Sequence, residues 1–261
     1  MVMIELEHSI KQYLLDHPYY LPSHSGITSI DDFDINLVDY FDSMSGVSAG
    51  SWSTLYLASR GGKGASRAVL DRQDIVEKYG IIPSGGAEGL RVLYKEFGAM
   101  IYPPEAIDTS AGMVGDLTNP FAPGVATPLY TLDGLVSTLD AFLGDTTLDD
   151  LDTSMLVPAF DLLSMTSVFF IQNAFRDFPA SSSARLVARS SPRPVTNEGR
   201  FFPDLVFDES KNYFLKDVGS ASGSVPVFNP AKSVTPVGSD TMDFLCVDGI
   251  IPIENGALPA A

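Results

Sequence analysis

An α/β fold is what this sequence predicts, and three observations predict it. Residues 37–61 read, in one line, as a short apolar strand, a turn bracketed by glycines and a helix. Residues 131–143 repeat apolar side chains at helical spacing. Residues 155–160 and 167–174 are apolar and aromatic runs of strand length, of the kind that fill a buried sheet more often than they line a ligand site.

In chain order, residues 4–15 place Ile4, Leu6, Ile10, Tyr13 and Leu14 in a near-helical stripe, an amphipathic helix that gives way to a turn-rich stretch over 17–26. Asp31, Asp32 and Asp34 read as solvated loop. Val38 to Met44 suits a buried strand, and Gly46-Val47-Ser48-Ala49-Gly50 follows it directly. Trp52, Leu55, Tyr56 and Ser59 then recur at helical spacing until Gly61-Gly62. A serine between strand and helix sits on a sharp turn with its hydroxyl exposed, which is read as a nucleophile elbow, with a purely structural turn as the alternative. Gly61-Gly62-Lys63-Gly64 is read as a helix stop, because no Ser or Thr follows the lysine and a helix precedes it, against the pattern of a phosphate loop.

Two short helices are expected over 71–79 and 89–97, and a loop over 103–128, rich in Pro, Gly, Thr and Ala. The 131–143 helix breaks at residues 144–147, where Thr146 or Thr147 caps the next turn. Asp145, Asp149, Asp150 and Asp152 lack the glycine and terminal glutamate of a calcium loop. Residues 181–197 are polar, basic and proline-containing, an expected exposed loop, and 216–224 reads as a helix. Phe244-Leu245-Cys246-Val247 is a buried strand that stops on Asp248-Gly249. An acid at a strand end, with a glycine allowing close backbone approach, is where a catalytic base would sit; it is equally the place of an ordinary Asx turn.

Composition narrows the function. With 261 residues, 45% of them hydrophobic, the chain can bury a large core as a single domain. One cysteine, Cys246, rules out an internal disulfide, and three scattered histidines make a poor metal set, so neither metal nor cofactor is expected. A net charge of −17 argues against nucleic acid and against anionic bilayers. A neutral lipid surface, membrane or droplet, stays open as a peripheral partner. The acidic N-terminus has no signal-peptide pattern and no stretch reaches roughly 20 uncharged apolar residues, so the expectation is a soluble, cytoplasmic chain of unsettled oligomeric state.

His8, His17 and His24 all precede Ser48, whereas the Ser-acid-His order needs a histidine downstream. Either an upstream histidine serves the serine in another chain order, or a carboxylate contacts it directly. A carboxylate is a weak base toward an alcohol, so a Ser-Asp pair suits ester carbonyls better than amides.

Four blocks in order carry a family resemblance. Tyr40-Phe41-Asp42 leads into Gly46–Gly50; Phe142-Leu143-Gly144-Asp145 precedes Leu156-Val157-Pro158-Ala159-Phe160-Asp161-Leu162; Lys216-Asp217-Val218-Gly219-Ser220-Ala221-Ser222-Gly223-Ser224-Val225-Pro226-Val227-Phe228 follows; Val247-Asp248-Gly249 with Asn255 and Pro259 closes the series. Over nearly its whole length the chain resembles the patatin-like phospholipases. The resemblance implies a three-layer α/β/α fold with a central mixed, mostly parallel sheet, formed by one domain over 1–261 that is truncated at its N-terminus and open-ended at its C-terminus. It implies a lipid acyl hydrolase acting on phospholipids, galactolipids or other acyl esters without a cofactor. Ser48 would be its nucleophile and Asp248 its base, with Gly46, Ala49, Gly50 and Gly249 shaping the elbow and oxyanion site. The chain departs from the family pattern in three places: no D-G-G-G-x-R-G loop occurs, Ile250 stands where a second glycine follows the acid, and the T-S-A-A run is altered. The alternative implied by these departures is a catalytically idle relative with a storage, interaction or lipid-binding role.

Overall fold

The computed structural model describes residues 2–20, 27–29, 36–61, 73–79, 86–103, 128–172, 185–190, 205–208 and 211–250. Helix α1 spans Val2–Asp16, as the apolar stripe requires, with a 3-10 turn at Pro18–Tyr20 behind it. Ile10 joins the helical core, but Leu6 and Tyr13 stay exposed. The helix is docked instead by buried Glu7, which accepts the Ala87 N–H at 3.1 Å while Lys11 reaches its other oxygen at 3.1 Å. A carboxylate at the start of a following helix satisfies an orphan amide and complements the helix dipole.

The strand expected over 38–44 is shorter than its composition suggests. Leu37–Tyr40 winds into a 3-10 turn and only Ser43–Ser45 forms strand β1. The cause is local: the Asp39 carboxylate accepts the Asn36 N–H at 2.8 Å in a capping box, and this favours a helical turn over extension. Helix α2, Ala49–Ala58, follows and stops as expected, with Gly61 in the left-handed region at φ 85° donating its N–H to Tyr56 O at 2.8 Å. Helices α3 (Gln73–Tyr79), α4 (Ala87–Glu96), α5 (Gly98–Ile101) and α6 (Asp133–Leu143) come next. The expected loop over 103–128 lies almost wholly outside the described residues. After α6 turns at Gly144, Thr147 caps the 3-10 turn Leu148–Asp150, its N–H and hydroxyl donating to Asp150 Oδ2 at 2.8 and 2.9 Å.

Strands β2 (Ser154–Asp161), β3 (Thr166–Gln172), β4 (Arg185–Ser190) and β5 (Leu205–Asp208), helix α7 (Leu215–Ser222), and strands β6 (Lys232–Val234) and β7 (Phe244–Val247) complete the chain. The sheet runs β5-β4-β3-β2-β7-β6, with β1 pairing β2. The α/β class and the mixed sheet are as expected; the balance of pairing is not. Among the described strands only β1 with β2 is parallel, and the other ladders are antiparallel. Short links such as residues 162–165 between β2 and β3 permit only hairpins, whereas a parallel pair needs a helical crossover, which the α2-to-α6 region supplies between β1 and β2. The exposed loop expected over 181–197 is likewise corrected: it contains β4, which pairs Leu186 opposite Ile171 on β3. Its apolar centre, Leu186-Val187-Ala188, is masked in composition by the arginines around it.

Met155, Val157 and Ala159 of β2, Val168 and Phe170 of β3, and Phe244 and Cys246 of β7 pack against Trp52 and Leu55 of α2, Leu139 and Leu143 of α6, and Val218 and Ala221 of α7. Leu156 and Phe160, pointing to the other face of β2, are half-buried. Tyr56 and Leu57 of α2 join a second cluster with Leu90, Leu93, Phe97 and Phe142. Beyond its exposed first turn, helix α2 is therefore buried on nearly all sides, because it lies between the sheet and the outer helices.

Candidate active site

The site forms where the start of α2 meets the end of β7. Ser48 is the N-cap of α2 at φ 54°, ψ −131°, a backbone conformation that costs a non-glycine residue energy and persists only where its surroundings hold it. Those surroundings are close. Gly46 continues the β1–β2 ladder by donating to Leu156 O at 3.2 Å, and a Cβ on it would lie 2.3 Å from Gly50 O and 2.4 Å from Thr54 Oγ1. The first turn of α2 thus folds back onto Gly46, leaving Ser48 at the apex. Gly50 differs: a Cβ there would meet nothing within 4 Å, so it faces open space. Ala49 is the first residue of α2, where an N–H has no acceptor within its own helix and carries the positive end of the dipole.

Asp248 follows β7. Its N–H donates to Ser224 O at 2.9 Å and the Gly249 N–H donates to Ser222 O at 3.2 Å, both carbonyls belonging to the end of α7 and the turn after it. Gly249 has to be glycine here, since a Cβ would sit 2.1 Å from Pro158 O on β2. Asp248 as a whole is only 1% exposed. Its Oδ2 accepts the Ser48 hydroxyl at 2.6 Å and its Oδ1 accepts the Ile250 N–H at 2.8 Å. Burial pushes its pKa above the usual Asp range, opposed by the hydrogen bonds from Ser48 and Ile250, which favour the charged form.

The structure thus brings together Ser48 and Asp248 with Gly46, Ala49, Gly50 and Gly249 around them. It also uses a residue that the motif reading did not single out. Buried Ser222 accepts the Ser48 N–H on its Oγ at 3.0 Å, so one residue of α7 braces both halves of the site. The only sign in the sequence is the run of small residues from Gly219 to Ser224, which lets this helix end pack closely. Tyr102 lies near as well: burial and then the Asp248 charge raise its pKa, and its hydroxyl donates to Asn229 Oδ1 at 3.2 Å.

The histidine alternative finds no support in the described residues. His8 is exposed on α1, the His17 ring bonds Tyr13 O at 2.8 Å, and His24 lies outside them, as do Asn255 and Pro259 of the last sequence block. Among the described residues no group of three or more His, Cys, Asp or Glu side chains converges as a metal site, and no helix is long and apolar enough to cross a membrane. A hydroxyl bonded to a buried carboxylate, beside an amide at a helix start, has the parts for nucleophilic attack on a carbonyl.

Comparison with known proteins gives the family. The model of the patatin-like phospholipase family matches residues 24–255. Patatin-like protein 2 of Arabidopsis thaliana is 23% identical over 225 residues, covering 84% of this chain and 49% of that protein. Patatin-like protein 3 of the same plant is 25% identical over 244 residues, covering 90% of this chain and 45% of that protein. The chain spans about half the length of the curated relatives it matches. Since the match takes in both Ser48 and Asp248 and nearly everything between the first helix and the end of the described fold, this chain belongs to the patatin-like phospholipase family.

Proposed function

We propose that the protein is a serine lipid acyl hydrolase that cleaves carboxylic esters of phospholipids or galactolipids through a Ser48-Asp248 dyad. The observation that carries this is the 2.6 Å hydrogen bond from Ser48 Oγ to Asp248 Oδ2, made by residues 200 positions apart. Asp248 takes the Ser48 proton as Oγ attacks the ester carbonyl carbon. The Ala49 N–H faces the oxygen on which negative charge develops, a type of contact worth roughly 10²–10³ in rate where a single donor is removed. Collapse of the tetrahedral intermediate releases the alcohol, which leaves with the proton from Asp248, and the acyl group stays on Ser48. Asp248 then deprotonates a water that attacks the acyl carbon, releasing the fatty acid and returning the proton to Ser48.

Burial of Asp248 serves this scheme, because a carboxylate held above the usual Asp range is a stronger base toward an alcohol. The net charge of −17 favours substrate presented from a neutral lipid surface over an anionic one. A fluorophosphonate probe is expected to label the 261-residue chain at Ser48 and to miss Ser48→Ala, with hydrolysis of a p-nitrophenyl ester lost in parallel. Labelling that survives Ser48→Ala would remove the serine from the mechanism. A wild-type chain that neither labels nor turns over esters would leave a lipid-binding role instead.

A further inference from the structure

Among the described residues, a cavity lies apart from Ser48 and Asp248. It has a volume of about 350 Å³ and is walled by Met100, Ile101, Pro103, Leu129, Tyr130 and Pro230, with the N-terminal turn of α6 beside them. This is the low end of the range for ligand sites, room for one chain rather than a whole lipid. None of its lining side chains is charged. Two lining residues, Tyr130 and Thr131, carry a hydroxyl, and Thr131 is already engaged: its hydroxyl donates to Asp133 Oδ2 at 3.1 Å, and its carbonyl accepts from Asn229 Nδ2 at 3.4 Å. What the wall offers an occupant is therefore mostly hydrocarbon.

The wall is also joined to the dyad by backbone bonds. Leu129 and Tyr130 donate their N–H groups to Val227 O and Phe228 O at 2.9 and 2.8 Å. That stretch begins at Ser224, whose carbonyl holds the Asp248 N–H at 2.9 Å, and ends at Pro230 in the wall itself. From the other side, Tyr102 stands between Ile101 and Pro103 and is bonded to Asn229.

We propose that this cavity binds the fatty acyl chain of the ester cleaved at Ser48 and sets the chain length the enzyme prefers. The proposal rests on the acyl hydrolase reading above. An acyl carbon at Ser48 extends its chain past Tyr102 into the cavity, while the alcohol part of the lipid stays outside it. Each further methylene buried raises kcat/KM roughly threefold to fourfold until the cavity is full, after which the gain stops.

Two measurements test this on the whole chain. In Leu129→Trp, which fills the cavity, the ratio of kcat/KM for a p-nitrophenyl decanoate to that for the acetate is expected to fall at least tenfold; in Leu129→Ala the optimum moves to longer chains. An unchanged ratio in both variants overturns the assignment. The second measurement needs no turnover: palmitic acid carrying a diazirine at its ω end, irradiated with Ser48→Ala protein, is expected to mark residues 98–103 or 128–134. Adducts confined to other segments overturn the proposal. Adducts at these segments in a chain that hydrolyses no ester uphold the cavity while refuting the reading on which its catalytic use rests.

Discussion

The two halves of the proposed dyad are built in different ways. Ser48 is held mostly by residues within a few positions of it: the turn from β1, the fold-back of α2 onto Gly46, and the Gly50 N–H and Ser51 N–H closing onto Val47 O and Ser48 O at 2.8 and 2.9 Å. Asp248 has one local hydrogen bond, from the Ile250 N–H to its Oδ1 at 2.8 Å, and its backbone is held from afar. It is placed by carbonyls of Ser222 and Ser224 and by contact of Gly249 with Pro158, residues 24 to 90 positions away. A local device can be strained and remain in place, because its own chain closes on it. A remote device depends on the packing of whole elements, so displacing the end of α7 as a whole is expected to disturb the Asp248 side, which hangs on the Ser222 and Ser224 carbonyls, more than Ser48, which it holds through one hydroxyl.

The largest effects come from removing the groups themselves, and the two halves differ in what else is lost. Ser48→Ala and Asp248→Asn are each expected to lower esterase kcat/KM by about 10³-fold or more. Asp248→Asn should nevertheless leave the fold no less stable near pH 7. The unfolded chain releases this proton near the ordinary Asp value of 3.8, the folded chain only at higher pH. Between the two values the folded state holds the extra proton, so stability falls as pH rises through that window, and the penalty of the buried charge is fully present above it. A neutral side chain escapes that penalty. Thermal unfolding should show the variant's advantage at pH 7 shrinking to nothing as pH drops below the ordinary Asp value; a variant less stable than wild type at pH 7 would mean that the hydrogen bonds to the carboxylate outweigh its burial. In the proposed mechanism only ionised Asp248 accepts the Ser48 proton, so the acid limb of wild-type kcat/KM should likewise lie above the usual Asp range.

Next in size are the glycines pressed by backbone. Gly46→Ala and Gly249→Ala each put a Cβ within 2.3 and 2.1 Å of a carbonyl oxygen, so the chain must shift. Each should cost about 1–3 kcal/mol in urea unfolding. Each should also lower activity by about 10²-fold, the penalty for displacing reacting groups by an ångström. If the contrast between the halves holds, fluorophosphonate reactivity suffers more from Gly46→Ala, which moves the nucleophile, while the pH profile shifts more in Gly249→Ala, which alters the surroundings of the acid.

The same contrast explains what could be read from the residues alone. The elbow, α2, α6 and the core strands β2, β3 and β7 were legible because each is a local pattern: spacing of apolar side chains, glycines around a serine, an acid at a strand end. Asp248 stayed open between base and turn because its decisive neighbours are far away in sequence, and so did Ser222, a small residue in a run of small residues. Strand β4 was hidden because pairing with β3 outweighs its polar flanks, and the predominance of antiparallel pairing follows from link lengths and edge availability that no single segment displays. The 3-10 turn at Leu37–Tyr40 was missed for another reason: the Asn36–Asp39 capping box overrides the strand propensity of Val38, Tyr40 and Phe41.

Smaller effects sharpen the comparison further. Ser222→Ala removes the acceptor of the Ser48 N–H but leaves the Ser222 carbonyl that holds Gly249, so it loosens the serine half alone. It is expected to lower stability by about 0.5–1.5 kcal/mol, the net worth of one hydrogen bond at a part-buried donor. The smallest effect is expected where the motif would suggest a large one. Gly50 completes the glycine-serine-glycine pattern, yet its Cβ position is open and it lies in the first turn of α2. Alanine is the better helix former by up to about 1 kcal/mol, so Gly50→Ala should leave the urea midpoint unchanged or raise it. Its activity then separates two uses of that open space: a loss confined to bulky acyl esters means that substrate passes over Gly50, whereas a loss of stability would mean that the elbow is tighter than the positions of Gly46 and Thr54 imply.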